Sequence, residues 1–446
     1  MSGTRAREVE MKLGVSRERL GEAVAFVSRA LPSRPVIPML SGMLLEASGA
    51  SLTISCFDYE VSARVRLDAE VRAPGAALVP GRLLAEITRS LPARPVELSV
   101  EGEIVNLTCG GAEFGLVCLP AADYPVLPDG PSAVGTVDGG ALAAAVTQVA
   151  PAASRDDTLP MLTAICLEIS GSQLTLAATD RYRLATRRIE ITRERSLPRS
   201  VALVPARIMI ESARAMAQSM RVSIAFDDHD GGARPAGGMI GFATEDKRLT
   251  ARLIAGEFIN YESRFPPEFD HEAKLPAGPI IDAVRRAALV AERAGPVRLS
   301  FRPDEVTVEA HAEGRARAAE RLTARFTGES AEIAFNLHYL LDGLAAAASA
   351  QAGPGRGEEP ADPGSAAETG SVGTGGSGEG ETGEGETSAD EAATGRGLIR
   401  LEFTSPAKPA LITWVGTDRD SSGSARSNDE AGFRYLLVPL RAPGRV

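Results

Sequence analysis

Pro38-Met39-Leu40, followed after four residues by Leu45-Glu46-Ala47-Ser48-Gly49, returns as Pro160-Met161-Leu162 ahead of Leu167-Glu168-Ile169-Ser170-Gly171, an offset of 122 residues. The match runs on at that offset, with Leu52-Thr53-Ile54 against Leu174-Thr175-Leu176 and Phe57-Asp58 against Thr179-Asp180. A fainter third copy is Val306-Thr307-Val308-Glu309. Each copy opens on a helical stretch with an Ala-Val step: Ala23-Val24, Ala145-Val146 and Ala283-Val284. Each later carries a strand entering a helix, over Leu78 to Leu83, Leu203 to Ile208 and Ala334 to Tyr339. A unit of roughly 120–130 residues is too long for a solenoid repeat and has the size of a domain. Alternation such as Ser51-Leu52-Thr53-Ile54-Ser55 and Glu305-Val306-Thr307-Val308-Glu309 predicts half-buried antiparallel strands. Each unit therefore reads as two helices on antiparallel sheet, an α+β domain present three times.

Composition is compatible with that. The chain has 446 residues, 44% of them hydrophobic but only 4% aromatic, so its cores must be aliphatic. Four cysteines (Cys56, Cys109, Cys118, Cys166) form no C-x-x-C pair, and three of them (Cys56, Cys118, Cys166) sit in apolar or strand-like runs. Buried free thiols in a reducing compartment are expected. The first ten residues are charged, with no apolar signal core, and no apolar run approaches a membrane span. The reading is a soluble cytoplasmic protein with no membrane contact. Net charge is −11, but residues 351–396 alone carry ten acidic and two basic residues, leaving −3 for the rest. A near-neutral body can still hold a local basic surface for DNA. Residues 351–396 lack aromatics and abound in Gly, Ser, Thr and Glu, which predicts a disordered insertion. Gly373, Gly375 and Gly378 match G-x-G-x-x-G, but no strand precedes and no helix follows, so no dinucleotide site is read there.

The runs TDRYRLA (179–185), VPGR (79–82), VPAR (204–207), LPAADYP (119–125), FNLHYLL (335–341) and YLLVPLR (435–441) resemble the bacterial sliding clamp, the beta subunit of DNA polymerase III. The likeness covers residues 11 to 441 apart from the insertion. It implies a DNA clamp fold laid out as an extension at 1–10, domain one at 11–130, domain two at 131–265, and domain three at 266–446 interrupted by 351–396. It further implies a homodimeric ring around double-stranded DNA, sheets outside and helices lining the hole. Such a ring is a processivity factor, not an enzyme, and needs no cofactor. Its hold on DNA is topological, so weak, salt-sensitive, sequence-independent phosphate contacts suffice. The replicative polymerase, the clamp loader and repair proteins would dock short peptides in a pocket between domains two and three.

By the same resemblance the pocket is Leu162, Thr179, Tyr182, Arg183, Leu184, Leu437, Val438, Pro439, Leu440 and Arg441. Aliphatic walls with a few polar edges suit an extended peptide with Leu or Phe anchors. Two positions depart from the family: Arg181 stands where Gly is usual, and Ile259 where Pro is usual. Arg34, Arg82, Arg155 and Arg207 are the DNA candidates, with Leu337 or His338 at the equivalent place in the third repeat. The ring would close through Phe114 and Leu116 of domain one and Leu289 and Val290 of a partner's domain three. The flanking charges look exchanged relative to the family: Glu113, near Glu101 and Glu103, faces Arg315 and Arg317.

Two other readings are weighed. One is a duplicate clamp whose altered pocket resists a peptide-like inhibitor. The other is a metal-dependent hydrolase using Asp227, Asp228, His229 and Asp230, since carboxylates and imidazole can hold a divalent cation. That tetrad lies between a strand-like run and Gly231-Gly232, however, and reads more simply as a hairpin loop. Asp58 and Asp180 recur at the domain offset and are read as turn residues, not as an acid/base pair.

Overall fold

The computed structural model describes residues 11–121, 124–128, 130–194, 199–226, 238–291, 295–312, 315–349, 397–415 and 432–440. The extension 1–10, the insertion 351–396, the tetrad Asp227 to Asp230 and Arg441 lie outside the described residues. The chain forms two compact units, Met1–Arg264 and Phe265–Val446.

The first unit holds two of the repeats. Its helices are α1 (Arg17–Ser28), α2 (Gly81–Ser90), α3 (Gly139–Val149) and α4 (Ala206–Met216), with α1 against α2 and α3 against α4. Each Ala-Val step points into a core: Ala23, Val24, Ala145 and Val146 are all buried. Both Pro-Met-Leu motifs form 3-10 turns, at Pro38–Ser41 and Pro160–Thr163, each feeding a strand. The hairpins that follow turn at Gly49 and Gly171, both at φ 59, a left-handed conformation that glycine adopts without steric cost. One sheet runs through both repeats, because Lys247–Arg252 pairs antiparallel with Val61–Asp68, Leu249 opposite Ala63.

Another sheet of this unit has the order Glu70–Ala73, Lys12–Val15, Val96–Glu101, Ile104–Cys109, Ala112–Val117. Ala112–Val117 is its last strand and, among the described residues, pairs only with Ile104–Cys109.

The second unit repeats the plan once. The strand His271–Pro276 enters α5 (Ala277–Ala288), and Ala331–Asn336 enters α6 (Leu337–Ser349), which packs on α5. A four-stranded sheet runs Ala316–Thr323, Glu305–Ala312, Pro296–Arg302, Ala331–Asn336. Ala316–Thr323 is its open edge. The strands Phe433–Leu437, Ala410–Trp414, Leu398–Phe403, His271–Pro276 and Arg325–Thr327 also lie side by side in that order.

Two expectations need correction. The alternation in Ser51–Phe57 predicted a half-buried strand, yet only Thr53 escapes full burial. This inner strand is covered by α1, where the Cys56 thiol reaches the Val27 carbonyl at 3.4 Å, and by Tyr124, whose hydroxyl accepts from the Phe57 N–H at 2.9 Å. Its polar residues are small enough to be covered; Glu305–Ala312, with larger polar side chains on one face, keeps the alternation. All four cysteines are free thiols, but Cys118 is only partly covered, while Cys109 is buried. Cys118 immediately follows the edge strand, which no further strand of its sheet covers among the described residues. Burial pushes the Cys56 thiol up to about 12, so it stays protonated and inert.

Candidate functional site

The turn after Gln173–Thr179 is built by its own side chains. Asp180 Oδ1 accepts from the backbone N–H of Tyr182 (3.0 Å) and Arg183 (3.1 Å). Asp58 does the same in the first repeat, accepting from Glu60 (3.0 Å) and Val61 (2.7 Å). Both aspartates are turn residues, and in both turns the next residue is left-handed: Tyr59 at φ 70 and Arg181 at φ 79. A side chain there costs about 1–2 kcal/mol relative to glycine's freedom. A glycine at either position would carry no such cost. The Thr179 hydroxyl accepts from the Arg181 N–H (3.1 Å) and donates to the Arg183 carbonyl (2.7 Å), which holds the strained residue in place.

Around this turn the predicted residues divide. Tyr182 is 55% exposed, whereas Leu162 and Leu184 are buried and serve as floor. Arg183 is largely spent inside the turn, its Nε donating to Asp180 Oδ2 at 2.9 Å, so it shapes the site rather than offering a free charge. Leu159 and Met161, which sequence reading did not select, present exposed apolar surface. Met161 lies inside the repeated 3-10 motif and Leu159 immediately precedes it. The segment bearing Ile259 is fastened to the same unit. The Tyr261 hydroxyl donates to Glu168 Oε2 (2.9 Å), Arg199 grips both oxygens of that carboxylate (2.7 and 2.9 Å), and Arg188 pairs with Glu262 (3.1 Å). Burial and the adjacent Glu168 carboxylate push the Tyr261 phenol well above its ordinary range. Ile259 itself is half-buried.

In the second unit Leu437 ends a core strand and is fully buried, and Pro439 is buried too. Val438 and Leu440 are each 38% exposed. The Leu440 N–H donates to the Ala334 carbonyl (2.8 Å) and the Tyr435 hydroxyl to the Tyr339 carbonyl (2.8 Å), so the segment is pinned with two apolar side chains outward.

Arg34, Arg82, Arg155 and Arg207 are all exposed. Arg82 and Arg207 occupy the second position of α2 and α4. Arg82 also donates to the Pro32 carbonyl at 2.9 Å, bracing the loop that carries Arg34. In α6 the second position is His338, exposed, while Leu337 is buried. Sequence reading missed Arg89 and Arg214, seven residues beyond Arg82 and Arg207 and also exposed. Two helical turns separate each pair, which puts both arginines on one stripe of their helix.

Of the ring-closing candidates, Leu116 is 1% exposed and belongs to its own core. Phe114, on the same side of the edge strand, is half-buried, and Leu289 is 86% exposed at the end of α5. The other side of the edge strand exposes Glu113 and Val117. Among the described residues no group of His, Cys, Asp and Glu is arranged to hold a metal ion.

Three family models match the chain consecutively: the N-terminal, central and C-terminal domains of the DNA polymerase III beta subunit, over residues 11–128, 136–260 and 262–353. The chain belongs to the DNA polymerase III beta subunit family. A beta sliding clamp of Streptomyces coelicolor is 46% identical over 97% of this chain and 100% of its own length. The beta sliding clamp homolog GriR of Streptomyces muensis is 40% identical over 75% of this chain and 88% of its own. The Bacillus subtilis sliding clamp superposes with a TM-score of 0.74 at 23% identity, over 97% of this chain and 100% of that one, and shows the same fold. A Pseudomonas aeruginosa clamp bound to griselimycin does so equally, at TM-score 0.74 and 23% identity, over 97% of this chain and 100% of that one. The protein is thus a sliding clamp of DNA polymerase III, a processivity factor and not an enzyme. Family members encircle DNA and bind polymerase and other partners through peptides. Neither a hydrolase nor an inhibitor-resistant duplicate is needed to explain the chain. No helix among the described residues is long and apolar enough to cross a membrane.

Proposed function

We propose that two copies of this clamp close head to tail into a ring around duplex DNA in the cytoplasm, each built of domains 11–130, 131–265 and 266–446. The observation that carries this is the pair of open sheet edges, Ala112–Val117 in one unit and Ala316–Thr323 in the other. An unpaired edge is a row of unsatisfied backbone groups that soluble proteins normally blunt or cover. Phe114 on one side, and Leu289 with Val290 on the other, supply the apolar contact. Arg34, Arg82, Arg155 and Arg207, with Arg89 and Arg214, face the DNA and meet phosphates without reading bases. Partner peptides from the polymerase, the clamp loader and repair proteins use Leu159, Met161, Thr179, Arg181, Tyr182 and Ile259 of the first unit. From the second unit they use Val438, Leu440 and Arg441. Leu162, Arg183, Leu184, Leu437 and Pro439 support those residues.

The deciding experiment is loading onto primed circular DNA with measurement of polymerase processivity. The wild type should stimulate synthesis on circles and slide off linear templates. Arg34→Ala with Arg155→Ala should shallow the salt slope of binding by about one phosphate equivalent per arginine removed. Equal retention on linear and circular DNA would overturn the ring.

A further inference from the structure

A strained arginine stands at the docking surface of the first unit. Arg181 is exposed, at φ 79, and its guanidinium makes no hydrogen bond or ion pair among the described residues. Tyr182 follows it on the same turn, and Leu159 and Met161 present apolar surface on the loop nearby. That loop lies within electrostatic reach of the turn. The Asp156 carboxyl is held below its usual range by its bonds to Thr158, whose N–H it accepts at 3.0 Å, and more weakly by the Arg181 charge. Neighbouring arginines are already engaged, Arg183 with Asp180 (2.9 Å) and Arg188 with Glu262 (3.1 Å). The left-handed residue of the first repeat differs as well. Its Tyr59 ring lies 5.2 Å from that of Phe57, a packing contact that offsets strain, and the Arg181 side chain has no such contact among the described residues. Strained residues that their surroundings hold in place, as Thr179 holds this one, cluster where ligands are gripped.

From this we infer that Arg181 selects among partner peptides: it favours those that carry an aspartate or glutamate beside their Leu or Phe anchors, at the residue that passes the turn. The inference rests on the docking surface proposed above and names the chemistry of its partners. Docking an apolar peptide strips water from the guanidinium, and a peptide carboxylate replaces that water with a charge-assisted hydrogen bond that Arg can make with two parallel N–H groups. An amide in the same place replaces less, and a lysine meets a like charge. The surroundings sharpen the choice. Asp156 and Asp157 are both exposed on the nearby loop and repel an acid carried past them. A carboxylate is thus favoured at Arg181 and disfavoured along the loop, so the charges also set the register in which a peptide lies.

The test uses the full-length clamp and a labelled polymerase-derived peptide in which glutamate or glutamine is placed in turn at each residue between and beside the anchors. The wild type should bind the glutamate form about three- to fivefold more tightly than the glutamine form at one position or two adjacent ones. Arg181→Asn, which suits a left-handed backbone, should abolish that preference, and Arg181→Glu should invert it. Added salt should shrink the preference in the wild type. Melting temperatures near that of the wild type show that both variants are folded. Arg155 is exposed on the same loop, and a glutamate preference that survives in Arg181→Asn would assign the effect elsewhere and overturn the inference. So would equal affinity of the two forms at every position. Replacing the peptide's anchors by alanine, and Met161→Ala in the clamp, tests the underlying reading. If neither weakens binding, the peptide docks elsewhere and both readings fall; if both weaken it while charge makes no difference, only the role of Arg181 fails.

Discussion

The turns Asp58-Tyr59-Glu60 and Asp180-Arg181-Tyr182 are the same object in two repeats, braced differently. Each has an aspartate accepting two backbone N–H groups and a left-handed non-glycine residue after it. The first is tied to a neighbouring strand, although Tyr59 itself stays 48% exposed. Arg252 donates to the Tyr59 carbonyl (3.1 Å) and pairs with Glu60 (3.5 Å), the Tyr59 ring lies 5.2 Å from that of Phe57, and Tyr124 caps the strand. The second is braced from below by Arg183 and Thr179 and keeps Tyr182, Leu159 and Met161 at the surface. A repeated fold thus supplies a repeated turn, and neighbouring residues decide what braces it and which side chains lie exposed around it.

Several substitutions would break or sharpen that contrast. The largest effect is expected from removing residues 438 onward, which takes away Val438 and Leu440 but leaves the strand ending at Leu437 whole. Affinity for a polymerase-derived peptide should fall about a hundredfold or more in a binding titration, as for removal of several interface anchors. The cut must spare Leu437, which is buried and paired to Ala410; truncation from Leu437 itself would damage the fold as well as the docking surface. Next comes Asp180→Ala, which removes the paired carboxylate from a largely buried guanidinium. It should cost about 2–4 kcal/mol in urea unfolding, against about 1 kcal/mol for Asp58→Ala, whose carboxylate serves only backbone N–H groups. Equal losses would show that the two turns are braced alike.

Tyr182→Ala and Met161→Ala should each weaken peptide binding by about 1–2 kcal/mol, roughly ten- to thirtyfold, while Tyr59→Ala leaves it unchanged. An equal effect at Tyr59 would mean both turns dock peptides. The smallest effect is Arg181→Gly. Relief of the left-handed strain, offset by glycine's greater unfolded-state freedom, should raise stability by about 0.5–1 kcal/mol, measurable as a small rise in melting temperature. The same variant reports whether the guanidinium obstructs peptides: unchanged affinity would mean that it points away.

Much of this was legible in the linear chain. The 122-residue offset, the Ala-Val steps and the strands entering helices named three α+β units before any coordinates, because local propensity and apolar period survive triplication. Asp58 and Asp180 declared their role by recurring. Arg82 and Arg207 did likewise, and their seven-residue companions Arg89 and Arg214 were there to be found. What sequence could not decide is burial, which depends on what lies across from a residue rather than beside it. Leu116 and Phe114 look alike in the chain, yet one closes a core and the other stays partly open. Arg181 reads in the chain only as a departure from the family's glycine, and the backbone dihedral reveals its strain. Arg183 and Arg181 are two residues apart, but the pairing of Arg183 with Asp180 makes Arg183 part of the scaffold. Sequence determined the elements and their repetition; tertiary packing chose which strands were left as edges and what braces each exposed turn, since those outcomes depend on packing between residues far apart in the chain.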